Sequence, residues 1–105
     1  MLKVAIHRVH LEKEQQLRDW LAELMRRQDE VRETFAQETI RHEQAYLLAT
    51  SDGPMLVYAM EAADFERGRA AFLNSTLAID SEHKQVMRDV LAGPAPAELL
   101  YDCMA

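Results

Sequence analysis

The stretch Met55 to Glu61, MLVYAME, limits the choice of fold more than any other part of the chain. It reads as a strand, and both faces of that strand are apolar. An antiparallel sheet packed on one side only should alternate apolar and polar residues. A strand with two apolar faces therefore needs a cover on each side. The chain's own helices can supply one cover. The simplest second cover is another copy of the chain, which predicts a homodimer that meets through its sheet.

The neighbouring elements build that sheet. His42 to Thr50 reads as the preceding strand, joined through the turn Ser51-Asp52-Gly53-Pro54. A turn centred near Asp52 sets Tyr46 opposite Tyr58, Leu48 opposite Leu56 and Glu43 opposite Glu61. A slip of one residue would exchange every side chain between faces. Leu2 to Val9 is loosely alternating and rich in β-branched residues, a further strand. From Glu12 to Ile40 there is no Gly or Pro, and Leu17, Trp20, Leu21, Leu24, Met25, Val31 and Phe35 recur at helical spacing. This predicts a long amphipathic helix, bent near Gln28 where the stripe is interrupted. Asp64 is placed to cap a helix over Phe65–Leu73. Asp80 or Ser81 is placed to cap another, running to about Leu91, with His83, Val86, Met87 and Val90 on its stripe. Gly93-Pro94-Ala95-Pro96 ends that helix, and Glu98 to Met104 reads as a fourth strand.

The order β-α-β-β-α-α-β is the split β-α-β plan: an α+β, ferredoxin-like fold with a four-stranded antiparallel sheet. At 105 residues it forms one domain over positions 1–105.

Charge and composition narrow the function classes. The formal charge is −6, and no basic cluster exceeds Arg26-Arg27, which argues against nucleic acid as a partner. No apolar run approaches the roughly 20 residues of a membrane span. The N-terminal stretch is already strand-like and has no signal-peptide pattern. A single cysteine, Cys103, precludes an internal disulfide framework and fits a reducing cytoplasm.

The element order, the length and the doubly apolar third strand resemble the dimeric α+β barrel superfamily. More narrowly, LKVAIHRVHLEKEQQLRDWLAELMRR, YAMEAADFERGRAAFLNS and AIDSEHKQVM resemble a family of small bacterial proteins of unknown function. The chain departs from that pattern at Thr76-Leu77, where the pattern has His-Pro. The superfamily includes cofactor-free polyketide cyclases and monooxygenases, muconolactone-type isomerases and haem-binding enzymes. The resemblance implies a dimer through the sheet and a pocket between sheet and helices. Plant cyclases of this kind place a working histidine in the segment comparable to that of His83.

Several residues could carry chemistry. His83, three residues from a helix start on an apolar stripe, is a candidate general base. Tyr58 is a candidate donor to an enolate or carbonyl oxygen, with Tyr46 opposite it. Glu43 facing Glu61 would share a proton, hold a cation or take a basic neighbour such as His7 or Arg8, and the pair would orient a ligand or His7. Trp20 is a core residue that could also wall a ligand site. The histidines are scattered, with no metal-ligand spacing, and no phosphate loop or nucleotide fingerprint occurs. The expectation is a pocket for a small organic ligand, with no metal or cofactor. Its chemistry would be cofactor-independent acid/base work of cyclase or isomerase type beside a carbonyl. Two alternatives stand: a non-catalytic binding or stress-response homodimer, and a haem- or metal-dependent oxidoreductase.

Overall fold

A computed structural model describes residues 1–105. The chain runs β1 (Leu2–Val9), one turn of 3-10 helix (Leu11–Lys13), α1 (Glu14–Arg26), α2 (Gln28–Glu38), β2 (Ile40–Thr50), β3 (Gly53–Ala62), α3 (Phe65–Asn74), α4 (Ala78–Val90) and β4 (Leu91–Pro94). The four strands form one antiparallel sheet in the order β2-β3-β1-β4. This is the ferredoxin-like plan predicted from the element order.

The helices lie where the apolar spacing puts them. The long amphipathic run breaks at Arg27, one residue before the expected bend, into α1 and α2. Arg27 stays in the hydrogen-bonded chain, and its guanidinium holds both Glu30 and Glu82, each at 2.7 Å. It thereby ties the break to α4. Asp64 caps α3 as predicted, accepting from the Arg67 amide at 3.1 Å. In contrast, α4 starts at Ala78, earlier than a cap at Asp80 or Ser81 would allow. Its first residue follows Leu77, which offers no side-chain cap.

Two strand expectations are corrected. The β2–β3 hairpin closes through a two-residue turn, Ser51-Asp52, with Thr50 opposite Gly53. The Thr50 hydroxyl donates to the Gly53 carbonyl and accepts from the Asp52 amide, and Gly53 adopts φ 108°. The register is therefore one residue away from the one expected. Tyr46 faces Val57, Ala45 faces Tyr58, Leu47 faces Leu56, and Glu43 faces Met60 rather than Glu61. The second correction concerns the fourth strand, which is Leu91–Pro94 and not Glu98–Met104. It leaves α4 directly and pairs with β1 through His7–Val9. Glu98–Met104 pairs with nothing, and Leu99, Leu100, Tyr101 and Met104 are exposed. Beyond Pro94 the Ala95 amide still donates to the Ile6 carbonyl at 2.9 Å, and Pro96 then has no amide proton to carry the ladder onward.

The core lies between the sheet and the helices. Val9, Leu17, Leu56 and Val90 are buried together, with Leu21, Leu47, Tyr58, Val86 and Met87 packed against them. Gly68 allows α3 to approach α2 closely, because a Cβ there would run into the Glu38 carbonyl oxygen. The opposite sheet face has no cover within the chain. Leu2, Val4, Tyr46 and Leu48 lie there exposed, with Leu2 83 % accessible.

Candidate functional site

The helix-facing side of β3 carries Leu56, Tyr58, Met60 and Ala62, since alternate strand residues share a face. Glu43 and Ala45 of β2 share that side through their pairings with Met60 and Tyr58. Opposite them, α4 turns Ile79, Asp80 and His83 inward, α2 turns in Val31, Thr34, Phe35 and Glu38, and α3 adds Phe72. Of the sheet residues, Glu43, Tyr58 and Met60 join these helix residues, with Ile40 and with Leu24 of α1, to line a cavity of about 200 Å³.

His83 is held from two sides. The Trp20 indole N–H donates to His83 Nδ1 at 2.9 Å. An indole can only donate, so Nδ1 must offer its lone pair and the ring proton of the neutral imidazole sits on Nε2. That nitrogen faces the Tyr58 hydroxyl at 3.4 Å. Burial drives the His83 pKa down to about 4, against a smaller opposing pull from Asp80. At neutral pH His83 is thus an uncharged hydrogen-bond donor. The expected base role requires the other tautomer, with a free lone pair on Nε2, and the bond from Trp20 disfavours it.

Three carboxyls, Glu38, Glu43 and Asp80, also stand on the cavity wall. Burial raises the Glu43 pKa to about 7. Glu38 also rises to about 7, first through burial and then through the nearby Asp80 charge. Asp80 is buried and accepts from the Thr34 hydroxyl at 2.6 Å and from the Ser75 hydroxyl. Thr34 also lies 3.2 Å from Glu38 Oε1. A hydroxyl has one proton to give. If Thr34 gives it to Asp80 across the shorter contact, Glu38 must be the donor to Thr34, which fits a protonated Glu38. Tyr58 is pushed upward by burial and by Glu43, so its hydroxyl keeps its proton. That hydroxyl also lies 3.8 Å from the Met87 sulfur, a weak partner that leaves it free to turn into the cavity.

The residues singled out from sequence divide into two groups. His83, Tyr58, Glu43 and Trp20 come together, the first three on the cavity wall and Trp20 behind His83. Glu61 and His7 lie elsewhere. Glu61 faces His42 and Leu2 on the uncovered side, and His7 pairs with Leu56 and Pro94. Tyr46 is exposed, bonded to Gln44 at 2.8 Å, and lines a second groove outside the cavity. No three His, Cys, Asp or Glu side chains are grouped to hold a metal ion. Sequence reasoning missed Glu38 and Thr34, although Val31, Phe35 and Glu38 recur at helical spacing and so put a carboxyl on the inward stripe.

A family model described as a family of unknown function (DUF6176) matches residues 2–104. No curated protein and no solved structure matches the chain. No helix is long and apolar enough to cross a membrane.

Proposed function

The chain belongs to this family of unknown function, and we propose that it is a small-molecule pocket protein catalysing cofactor-independent proton transfer beside a carbonyl. One observation carries the reading. A carboxyl with its pKa near 7, Glu43, shares an apolar cavity of about 200 Å³ with two neutral donors, Tyr58 and His83. Glu43 is the base: near neutral pH it is partly ionised and desolvated, the condition under which a carboxylate removes a weakly acidic C–H proton best. Tyr58 Oη–H and His83 Nε2–H are the donors that would meet the oxygen of the resulting enolate. A neutral imidazole is a suitable electrophile for this, because it polarises the oxygen without giving up its own proton. The C–H electron pair moves into the enolate, and Glu43 holds the proton until it returns to the same or a neighbouring carbon.

The test uses small neutral ketones and β-keto esters in deuterated buffer, with α-proton exchange followed by NMR. The reading predicts exchange above the buffer rate that Glu43→Gln abolishes and Tyr58→Phe lowers. Exchange that survives Glu43→Gln unchanged would overturn it.

The same proposal includes a homodimer of the dimeric α+β barrel type in a reducing cytoplasm. Its support is the uncovered sheet face with Leu2, Val4, Tyr46 and Leu48. An exposed apolar sheet face of this kind marks an interaction surface. The C-terminal segment carrying Leu99, Leu100 and Tyr101 is further apolar surface that a second copy would cover.

A further inference from the structure

The cavity does not end at Glu43. A wider groove of about 590 Å³ begins there and runs between β2 and the helices α1 and α2. The two spaces share Leu24, Val31, Phe35 and Glu43 as common walls. Their charges are opposed. The inner cavity is lined by Glu38, Glu43 and Asp80 and by no Lys or Arg. The outer groove presents Arg32, Arg41 and His42. Arg32 is already engaged by Asp29 at 3.1 Å and Gln28 at 2.9 Å. Arg41 is exposed and takes part in no ion pair or side-chain hydrogen bond, although the chain has an excess of acids to offer it.

From this arrangement we infer that the ligand is an elongated molecule with a terminal carboxylate, seated with that carboxylate against Arg41 in the outer groove and its carbonyl end in the inner cavity. The inference rests on the pocket reading above and adds the polarity and direction of the ligand. An anionic group cannot enter the inner cavity without meeting three carboxyls and losing its water. The same group at Arg41 gains a charge-assisted partner that already faces solvent. Leu24, Val31 and Phe35 supply the apolar passage between the two ends. The carbonyl is thereby delivered to Tyr58, His83 and Glu43, and the ligand cannot bind in the reverse sense.

The experiment uses the full chain and two probes: a linear eight-carbon methyl ketone, and its counterpart carrying a carboxylate at the far end. Trp20 is the only tryptophan and its indole is bonded to His83, so its fluorescence reports occupation of the inner cavity. The expected result is three- to tenfold tighter binding of the keto acid at low salt, with the preference shrinking as salt screens it. In Arg41→Ala the preference should fall below twofold, and in Arg41→Glu it should reverse. If the ketone binds and the keto acid binds no tighter, the head-group inference fails and the pocket reading stands. A preference that survives Arg41→Glu also overturns the inference. If neither probe perturbs Trp20, the inference and the pocket reading fall together.

Discussion

Replacing Glu43 by Gln should make the protein more stable, and only on the alkaline side. Burial raises the Glu43 pKa from 4.5 to about 7. Each pH unit between those values is worth about 1.4 kcal/mol, so an ionised Glu43 costs the fold roughly 3 kcal/mol. Solvent at the cavity mouth screens part of this and leaves about 2 kcal/mol. The sign follows from linkage. The folded-state value is raised, so the contribution of the protonated carboxyl is fully present below about pH 4.5 and is lost as pH rises through about 7. A glutamine stays neutral throughout and loses nothing. Urea denaturation of wild type and Glu43→Gln at about pH 4.5 and about pH 8 reads the difference directly. The variant's advantage should grow by about 2 kcal/mol between the two conditions. A stability difference that is the same at both would mean that Glu43 ionises normally in the fold, and the reasoning that makes it a neutral-range base would be refuted.

Other consequences are as direct. His83 has its folded-state pKa lowered to about 4, so its contribution is present above about pH 6.5 and lost as pH falls through about 4. His83→Gln should flatten that acid limb of the stability profile, and an unchanged limb would assign it to other groups. Gly68→Ala should destabilise by at least about 2 kcal/mol despite alanine's better helix propensity, because the new methyl meets the Glu38 backbone; thermal melts check this. In sedimentation at micromolar concentration the wild-type chain should run as a dimer and Val4→Asp as a monomer, since Val4 lies on the uncovered apolar face. A monomeric wild type would remove the dimer from the account.

The fold was legible wherever a local pattern determined it. Apolar spacing placed α1, α2 and α4, and Asp64 announced α3 because a cap needs only its own first turn. The hairpin register was not legible, because a single hydroxyl, that of Thr50, closes the turn one residue early. Glu98–Met104 has strand-like residues, yet strand identity depends on a free edge, and Leu91–Pro94 reaches β1 first. The site divides in the same way. His83 and Tyr58 could be chosen because each sits on an inward-facing stripe of its element. The tautomer of His83 could not, because it is set by Trp20 at a distance of 63 residues in the chain. The replacement of Glu61 by Glu38 as the second cavity carboxyl follows from the register and from the phase of α2, and both are tertiary facts.

A cavity that pairs a neutral donor histidine with a carboxyl base has its clearest signature at the histidine ring. The most direct measurement is heteronuclear NMR of the His83 ring nitrogens across pH, in wild type and in Trp20→Phe. At neutral pH Nε2 should be protonated and Nδ1 unprotonated, with no titration until well below pH 6. In Trp20→Phe, where Nδ1 loses its donor, the titration should move upward. A wild-type His83 that carries its proton on Nδ1, or that titrates near 6.5, would leave Nε2 free to accept a proton. The base would then be His83 and not Glu43.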